Sequence, residues 1–477
     1  MSHSHQEFTA FAEVIPSRRQ FLQRIGLASS VLGFGIFGGL ALPEATAQCN
    51  PPGNPGTPRP WRRDCRGIRP RRPASTLSAA EVKKLKDAYA AMRALDTSDP
   101  NDPRGFLHQS KVHCFFCGHG LQIHGSWQFF PWHRAYLYFH ERILGTLIGD
   151  PEFRLPYWDW DRPASRKLPP AYATPNDATN PLWNGTRAMD PTDEIPASDV
   201  DDTVMENALT ASTFGEFGGT AINSGIPEGS PHGSVHVDVG GDMGTFQTAA
   251  LDPVFYAHHS NVDKMWSDWN KASATHTNPT DAPFLNLSWS FFDENKVWRS
   301  ITAAHVLNHE NQLRYTYGPS QFIEKLPCLL DWISIRTDWS LKRQLKLSVA
   351  SQNKFSQVFE QGGRVRMHLD ALSVPLTKSA MYNLYTSPEA AKADEGPGHK
   401  EYLGSFPVVL NDRENRHKRK PVTDVVLSVS KETFQNLASI SAPLKLAFIE
   451  RGANAEARTP ILASAKSLRF SSAEMEH

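Results

Sequence analysis

The chain carries no excess of either charge: 50 lysines and arginines balance 50 aspartates and glutamates across 477 residues. Without a net field there is nothing to draw in nucleic acid or an anionic membrane, and neither is expected as a partner. Internal repeats are also lacking, which excludes a solenoid or multi-copy array. Long apolar runs are scarce. The one of note, Ile25 to Leu42, is rich in glycine and alanine, follows Ser17-Arg18-Arg19-Gln20-Phe21-Leu22 and precedes Ala45-Thr46-Ala47. Paired arginines, a short apolar stretch and a small-residue cleavage site read together as a bacterial twin-arginine export signal over residues 1–47, rather than a retained membrane helix. The expected route is the twin-arginine export machinery and the expected destination the periplasm or the medium, with no membrane contact once the signal is removed. Cysteine is sparse as well. Its five positions, Cys49, Cys65, Cys114, Cys117 and Cys328, suit an oxidising compartment of that kind.

What is present divides the remainder into segments, and the length allows two or three domains. Residues 48–73 form a Pro- and Arg-rich arm without apolar periodicity, with seven arginines against one aspartate between Arg59 and Arg72; a solvated arm is expected. From Ser78 onward Val82, Leu85, Tyr89 and Met92 fall on one helical stripe, with Ser78 as N-cap. A second helix is expected to carry Phe106, Leu107 and His113, and a third to run from Pro131 to Gly149 with His133 near its start. Pro, Asp, Asn and Gly crowd residues 160–224, the mark of a long loop with short helical turns. Beyond residue 326 the texture changes. D-W-S-L-K-R-Q-L-K-L-S-V-A, R-V-R-M-H-L-D, V-V-L-S-V and L-K-L-A-F-I-E alternate with period two between turn signals, which predicts antiparallel strands. The expected fold is a mainly α domain over residues 74–325, a four-helix bundle, followed by a linker and C-terminal β-sandwich over residues 326–477.

Histidine gathers in two clusters. His113, His124 and His133 lie in H-C-F-F-C, Q-I-H-G-S-W and F-F-P-W-H-R, while His232, His236 and His259 lie in P-H-G-S-V-H and D-P-V-F-Y-A-H-H-S-N-V-D. The spacing of four between His232 and His236 places both rings on one helical face, able to share a metal. Three plus three imidazoles with no carboxylate to bridge them point to two facing metal sites. Imidazole suits copper and zinc, but an all-nitrogen pair with open positions favours copper and hence dioxygen chemistry. A dinuclear zinc hydrolase would want carboxylate ligands and a base beside the metal-bound water.

The stretches W-Q-F-F-P-W-H-R-A-Y-L-Y-F and D-P-V-F-Y-A-H-H-S-N-V-D-K-M-W resemble the type 3 copper proteins, and most closely the plant polyphenol oxidase (catechol oxidase) branch of the tyrosinase family. The resemblance runs from Arg69 onward. It implies two copper ions in the bundle, one held by His113, His124 and His133, the other by His232, His236 and His259, with His258 supporting rather than binding. It implies a thioether between Cys117 and His124. Plant relatives carry two disulfides near this region, but this chain has a single cysteine where they have an adjacent pair. One disulfide is then expected, either Cys65 to Cys114 or Cys49 to Cys65. An Arg71-Arg72-Pro73 element is expected near Tyr315-Thr316-Tyr317. The C-terminal domain, with E-Y-L-G-S-F-P-V-V-L at Glu401 to Leu410, would shield the site.

The activity implied is oxidation of o-diphenols to o-quinones with reduction of dioxygen. Glu228 matches a glutamate that holds a water near the metals. Gly233 stands where efficient tyrosinases carry an asparagine, which lowers the expectation of monophenol hydroxylation. Phe246 takes the place of an aromatic that overhangs one copper and stacks on a phenol. Full monophenolase activity, oxidation of o-aminophenols or other substituted phenols, and a hemocyanin-like dioxygen carrier are the competing readings. The signal, the single copper domain and the lack of repeats argue against the carrier. His108, His119, His140, His305, His309, His368, His399 and His417 have no ligand spacing and are expected to be structural or exposed.

Overall fold

The computed structural model describes residues 49, 56–63, 67–118, 123–318, 349–360, 364–370, 372, 379–394, 396, 399–409, 425–439, 446–452, 459–462 and 467–473. The export signal, Cys65, His119, Cys328 and His417 lie outside the described residues. Among the described residues no helix is long and apolar enough to cross a membrane.

Helix α1 (Ala79–Ser98) begins where the sequence predicts. Ser78 Oγ accepts from the Glu81 amide while the Glu81 carboxylate accepts from the Ser78 amide at 2.8 Å, a reciprocal cap that satisfies two otherwise orphaned donors. Its buried face, Leu85, Ala88, Tyr89 and Met92, packs on α2 (Phe106–Gly118) and α3 (Phe129–Leu147). In α3 every residue from Phe129 to Gly145 except Arg142 is buried, so the helix runs through the middle of the core rather than over its surface. Pro131 falls in its first turn, where a missing N–H costs nothing. The expected long loop contains several short turns, including α4 (Ala197–Val200) and α5 (Asp202–Leu209). Helices α6 (Ser234–Val239) and α7 (Val254–Ala272) complete the bundle, and α7 packs along α3.

The arm is not simply solvated. Strand β1 (Arg59–Pro60) joins a small sheet with β3 (Ser288–Phe292) and β4 (Trp298–Thr302), and β2 (Arg69–Arg71) pairs in parallel with β5 (Tyr315–Tyr317). Arg71 is fully buried because its charge is matched on several sides. Its guanidinium donates to Glu141 at 2.8 Å and to Asp263 at 3.3 Å, and lies 3.7 Å above the Tyr315 ring. Asp263 also accepts from Arg134 at 2.5 Å and from the hydroxyls of Tyr315 and Tyr317 at 2.5 and 2.7 Å. Arg134 follows His133, and Asp263 lies one turn beyond His259. This buried network therefore fixes how the two central helices face each other.

The disulfide differs from both sequence expectations: Cys49 is bonded to Cys114, with Cα atoms 5.3 Å apart, a normal span for the bond. Residue 49 lies against α2, a proximity that residue spacing does not encode.

The C-terminal unit holds two sheets around one core. Strands β6 (Arg364–Asp370), β9 (Val425–Val429) and β12 (Ser467–Ala473) form one, in the order β12-β6-β9; β7 (Ala380–Tyr385), β8 (Tyr402–Val408), β10 (Ala447–Glu450) and β11 (Ile461–Leu462) form the other, in the order β11-β10-β7-β8. Met367, Leu369, Leu384, Phe406, Leu427 and Phe448 fill the space between them. Helices accompany the strands. Helix α8 (Val349–Glu360) packs on β6, the short α9 (Pro388–Ala393) follows β7, and Phe355 of α8 meets Phe434 of α10 (Lys431–Ser439) with ring centroids 5.0 Å apart. Most of the stretch read as a strand at 338–350 lies outside the described residues, and its last two, Val349 and Ala350, open α8.

Candidate metal centre

His113 projects from α2, His124 from the segment before α3, and His133 from the first turns of α3. His232 ends a π-type turn (Glu228–Gly233), His236 sits on α6, and His258 and His259 sit on α7. All are buried. In one cluster the ligand atoms of His113, Cys117, His124 and His133 lie within 4.8 Å of one another; in the other those of His232, His236, His258 and His259 do. The clusters face each other, with ring centroids 4.3 Å apart for His133 and His259 and 5.9 Å for His124 and His232.

Hydrogen bonding fixes which nitrogen is free in four of the rings. His113, His133, His232 and His236 each place Nδ1 against a carbonyl oxygen, of Phe246, Phe129, Glu228 and Met243, at 2.7 to 2.9 Å. A carbonyl only accepts, so these rings donate from Nδ1 and keep a lone pair on Nε2. That Nε2 is buried without a partner in His113, His133 and His232, while the Nε2 atoms of His236 and His259 converge at 3.2 Å. Buried lone pairs aimed at a common point are what a metal centre requires, and the nitrogen-only donor set suits copper. Burial lowers the pKa of all six imidazoles, that of His133 to about 3 and of His236 to about 4. They are neutral, the state that binds metal.

His258 is the exception. Trp160 Nε1 donates to its Nδ1 at 3.1 Å, and an indole only donates. Neutral His258 therefore carries its proton on Nε2 and presents an N–H to the cluster. By position His258 is a fourth member of the cluster, and its tautomer sets it apart from the other three rings.

The remaining site residues fall around these rings. Phe246, half-buried, lies over His124 with centroids 4.4 Å apart and the planes tilted by 31°. Phe129 lies 4.7 Å from both His133 and His232, and Phe255 lies 4.1 Å from His259. Glu228 accepts from the Gly125 amide at 2.6 Å through Oε1, while Oε2 is buried and unpartnered; burial pushes this carboxyl up to about 8. Cys117 is a buried free thiol whose pKa burial and then Glu228 push up. Gly233 has no room for a side chain, because an added Cβ would meet Pro407 Cγ at 2.9 Å. None of His108, His140, His305, His309, His368 and His399 joins either cluster. His140 stacks on Tyr256 at 3.6 Å, and His276, absent from the sequence reading, stacks on Trp269 at 4.7 Å. Sequence reasoning also missed Arg366 and Arg451, visible only as parts of strand-like stretches, and reached Pro407 only within the Glu401–Leu410 stretch expected to shield the site.

The common central domain of tyrosinase matches residues 87–195 and 169–272, and the polyphenol oxidase middle domain matches residues 278–335. The chain is similar to the latent form of a chloroplastic polyphenol oxidase of Prunus armeniaca, 36% identical over 45% of this chain and 43% of that protein. It thus spans less than half the length of this curated relative. Among solved structures it resembles a polyphenol oxidase of Vitis vinifera, at 31% identity over 61% of this chain and 97% of that one with a TM-score of 0.54. A latent tyrosinase of apple aligns over 88% of this chain and 99% of its own, at 25% identity and a TM-score of 0.61.

Proposed function

Because the chain belongs to the tyrosinase and polyphenol oxidase family of type 3 copper proteins, we propose that it oxidises o-diphenols to o-quinones while dioxygen is reduced to water. The observation that carries this reading is the pair of facing, buried imidazole clusters with lone pairs left free. Bound to His113, His124 and His133 on one side and His232, His236 and His259 on the other, two copper ions would supply the capacity to pass electrons from phenol to dioxygen. Two catechols give up four electrons and four protons, which one dioxygen takes up as two waters.

The side chains position the phenol and handle its protons. Phe246 offers a ring face over His124 on which a catechol stacks, and Phe129 and Phe255 keep the surroundings apolar. Glu228, whose carboxyl burial pushes up to about 8, keeps its Oε2 unpartnered beside the site, where it can hold a water. Gly233 brings no amide to orient that water, so monophenol hydroxylation is weak or absent. Cys117 and His124 form a thioether, losing the thiol hydrogen and one ring hydrogen with dioxygen as oxidant. The C-terminal unit covers the site, with Pro407 against Gly233. Export follows the twin-arginine route, on the strength of Ser17 to Leu22.

Oxygen uptake by the copper-loaded, signal-free protein, before and after limited proteolysis, tests the activity. Uptake with catechol and little with tyramine is expected. Uptake with both makes the chain a tyrosinase despite Gly233, and uptake with neither overturns the oxidase reading.

A further inference from the structure

Helix α6 carries His236 and directly continues the turn that carries His232, yet it is only six residues long. A helix that short does not hold its own shape in water; its position is set by what packs on it. Two of the things that pack on it come from the C-terminal unit. Pro407 of β8 sits in the space that Gly233 leaves free, between the two histidines in sequence, so closely that even one added carbon would meet it at 2.9 and 3.3 Å. Arg451, just past β10, donates to both carboxylate oxygens of buried Asp199 on α4 at 2.8 and 2.5 Å, and to Asp238 on α6 at 3.3 Å. Asp238 lies two residues beyond His236. One guanidinium thus staples α6 to α4. A second arginine, the buried Arg366 of β6, anchors the same unit to α5, reaching Asn207 Oδ1 at 2.7 Å and Thr210 Oγ1 at 3.0 Å.

Two of the three rings of the first cluster are held differently, as is His259 on the 19-residue α7. His113 and His133 sit on helices of 13 and 19 residues, and the second of these is fixed by the Arg134–Asp263 pair inside the bundle.

We infer that the C-terminal unit is a clamp for the second metal site: Pro407 and Arg451 hold the His232–His236 segment in binding geometry, so that metal there is retained more tightly while the unit is docked. Pro407 and Arg451 are positioning residues, since neither reaches a ligand nitrogen. The inference rests on the metal reading above and adds a cost to removal of the cover. Opening the site by proteolysis also loosens one of its two metals.

The experiment is a chelator challenge of the full-length, signal-free, copper-loaded protein, with copper per chain followed over time, alongside hydrogen exchange of residues 228–239 and 129–147. For R451A and P407G one copper is expected to leave about tenfold faster than in the wild type, the usual scale for losing a residue that orients metal ligands. The other copper leaves at the wild-type rate, and exchange quickens only in 228–239. R451K restores part of the retention. Two outcomes overturn the inference: wild-type copper loss in both variants, or accelerated loss of both coppers with faster exchange in both segments, which is general destabilisation. A wild-type chain that takes up fewer than two coppers overturns the metal reading itself, and the clamp with it, before any variant is compared.

Discussion

His113 donates its Nδ1 hydrogen to the carbonyl oxygen of Phe246 at 2.9 Å, while the Phe246 ring lies tilted over His124 at 4.4 Å. One residue thus orients one imidazole of the first cluster through its backbone and covers another with its side chain. The two roles separate on mutation. Phe246→Ala keeps the carbonyl, so copper content should stay at the wild-type value, while the lost stacking surface, about 0.5–1.5 kcal/mol, should raise KM for catechol by about two- to tenfold. Steady-state kinetics beside metal analysis check this. Lost copper would mean that the ring, not the carbonyl, holds His113 in place.

The tautomer of His258 separates it from its neighbour. His259→Gln removes a ligand and should cost one copper per chain, whereas His258→Gln should keep both. Trp160→Phe frees His258 Nδ1 and should likewise keep both coppers. Copper stoichiometry decides, and loss of a copper in His258→Gln would make His258 the ligand.

Acid stability follows from Asp263. Burial by itself would raise this carboxyl, but Arg134 and Arg71 outweigh it and bring the pKa down to about 2. In an unfolded chain the group titrates near ~3.9. A lowered folded value means stability that is complete above the unfolded pKa and lost as pH falls through the folded one. Between about pH 4 and about pH 2 this group should account for about 2–3 kcal/mol of the loss. Asp263→Asn should flatten that part of the profile and cost ~3–5 kcal/mol at neutral pH, because Arg134 stays buried without its carboxylate and Arg71 keeps only Glu141. Denaturant unfolding of the metal-free protein against pH measures both.

The disulfide between Cys49 and Cys114 closes a loop of sequence separation 65. In the chain-entropy account a loop of that size stabilises by ~4 kcal/mol. The double variant Cys49→Ser, Cys114→Ser should unfold at correspondingly lower denaturant concentration. Unchanged stability would show that the paired arm adds nothing beyond what β2 and Arg71 already hold.

Much of the centre was legible because helical periodicity and metal ligation are both local. A spacing of four puts His232 and His236 on one face, and the long motifs around His133 and His259 place each on a helix whose burial their apolar neighbours dictate. The strands of the C-terminal unit were legible for the same reason, since alternation with period two records which face is buried. The exception at Val349 and Ala350 shows the limit, because a short apolar run fits strand or helix until its partner is known.

What the sequence by itself determined is the two histidine clusters and the two kinds of layer. Tertiary structure alone decided the relations between groups distant in the chain: Cys49 beside Cys114, Arg71 among Glu141, Asp263 and Tyr315, Trp160 on His258, and Pro407 in the space of Gly233. The reason is physical. Each depends on where two surfaces meet after the cores have formed, and a glycine, an arginine or a tryptophan carries no record of its eventual neighbour in the residues beside it.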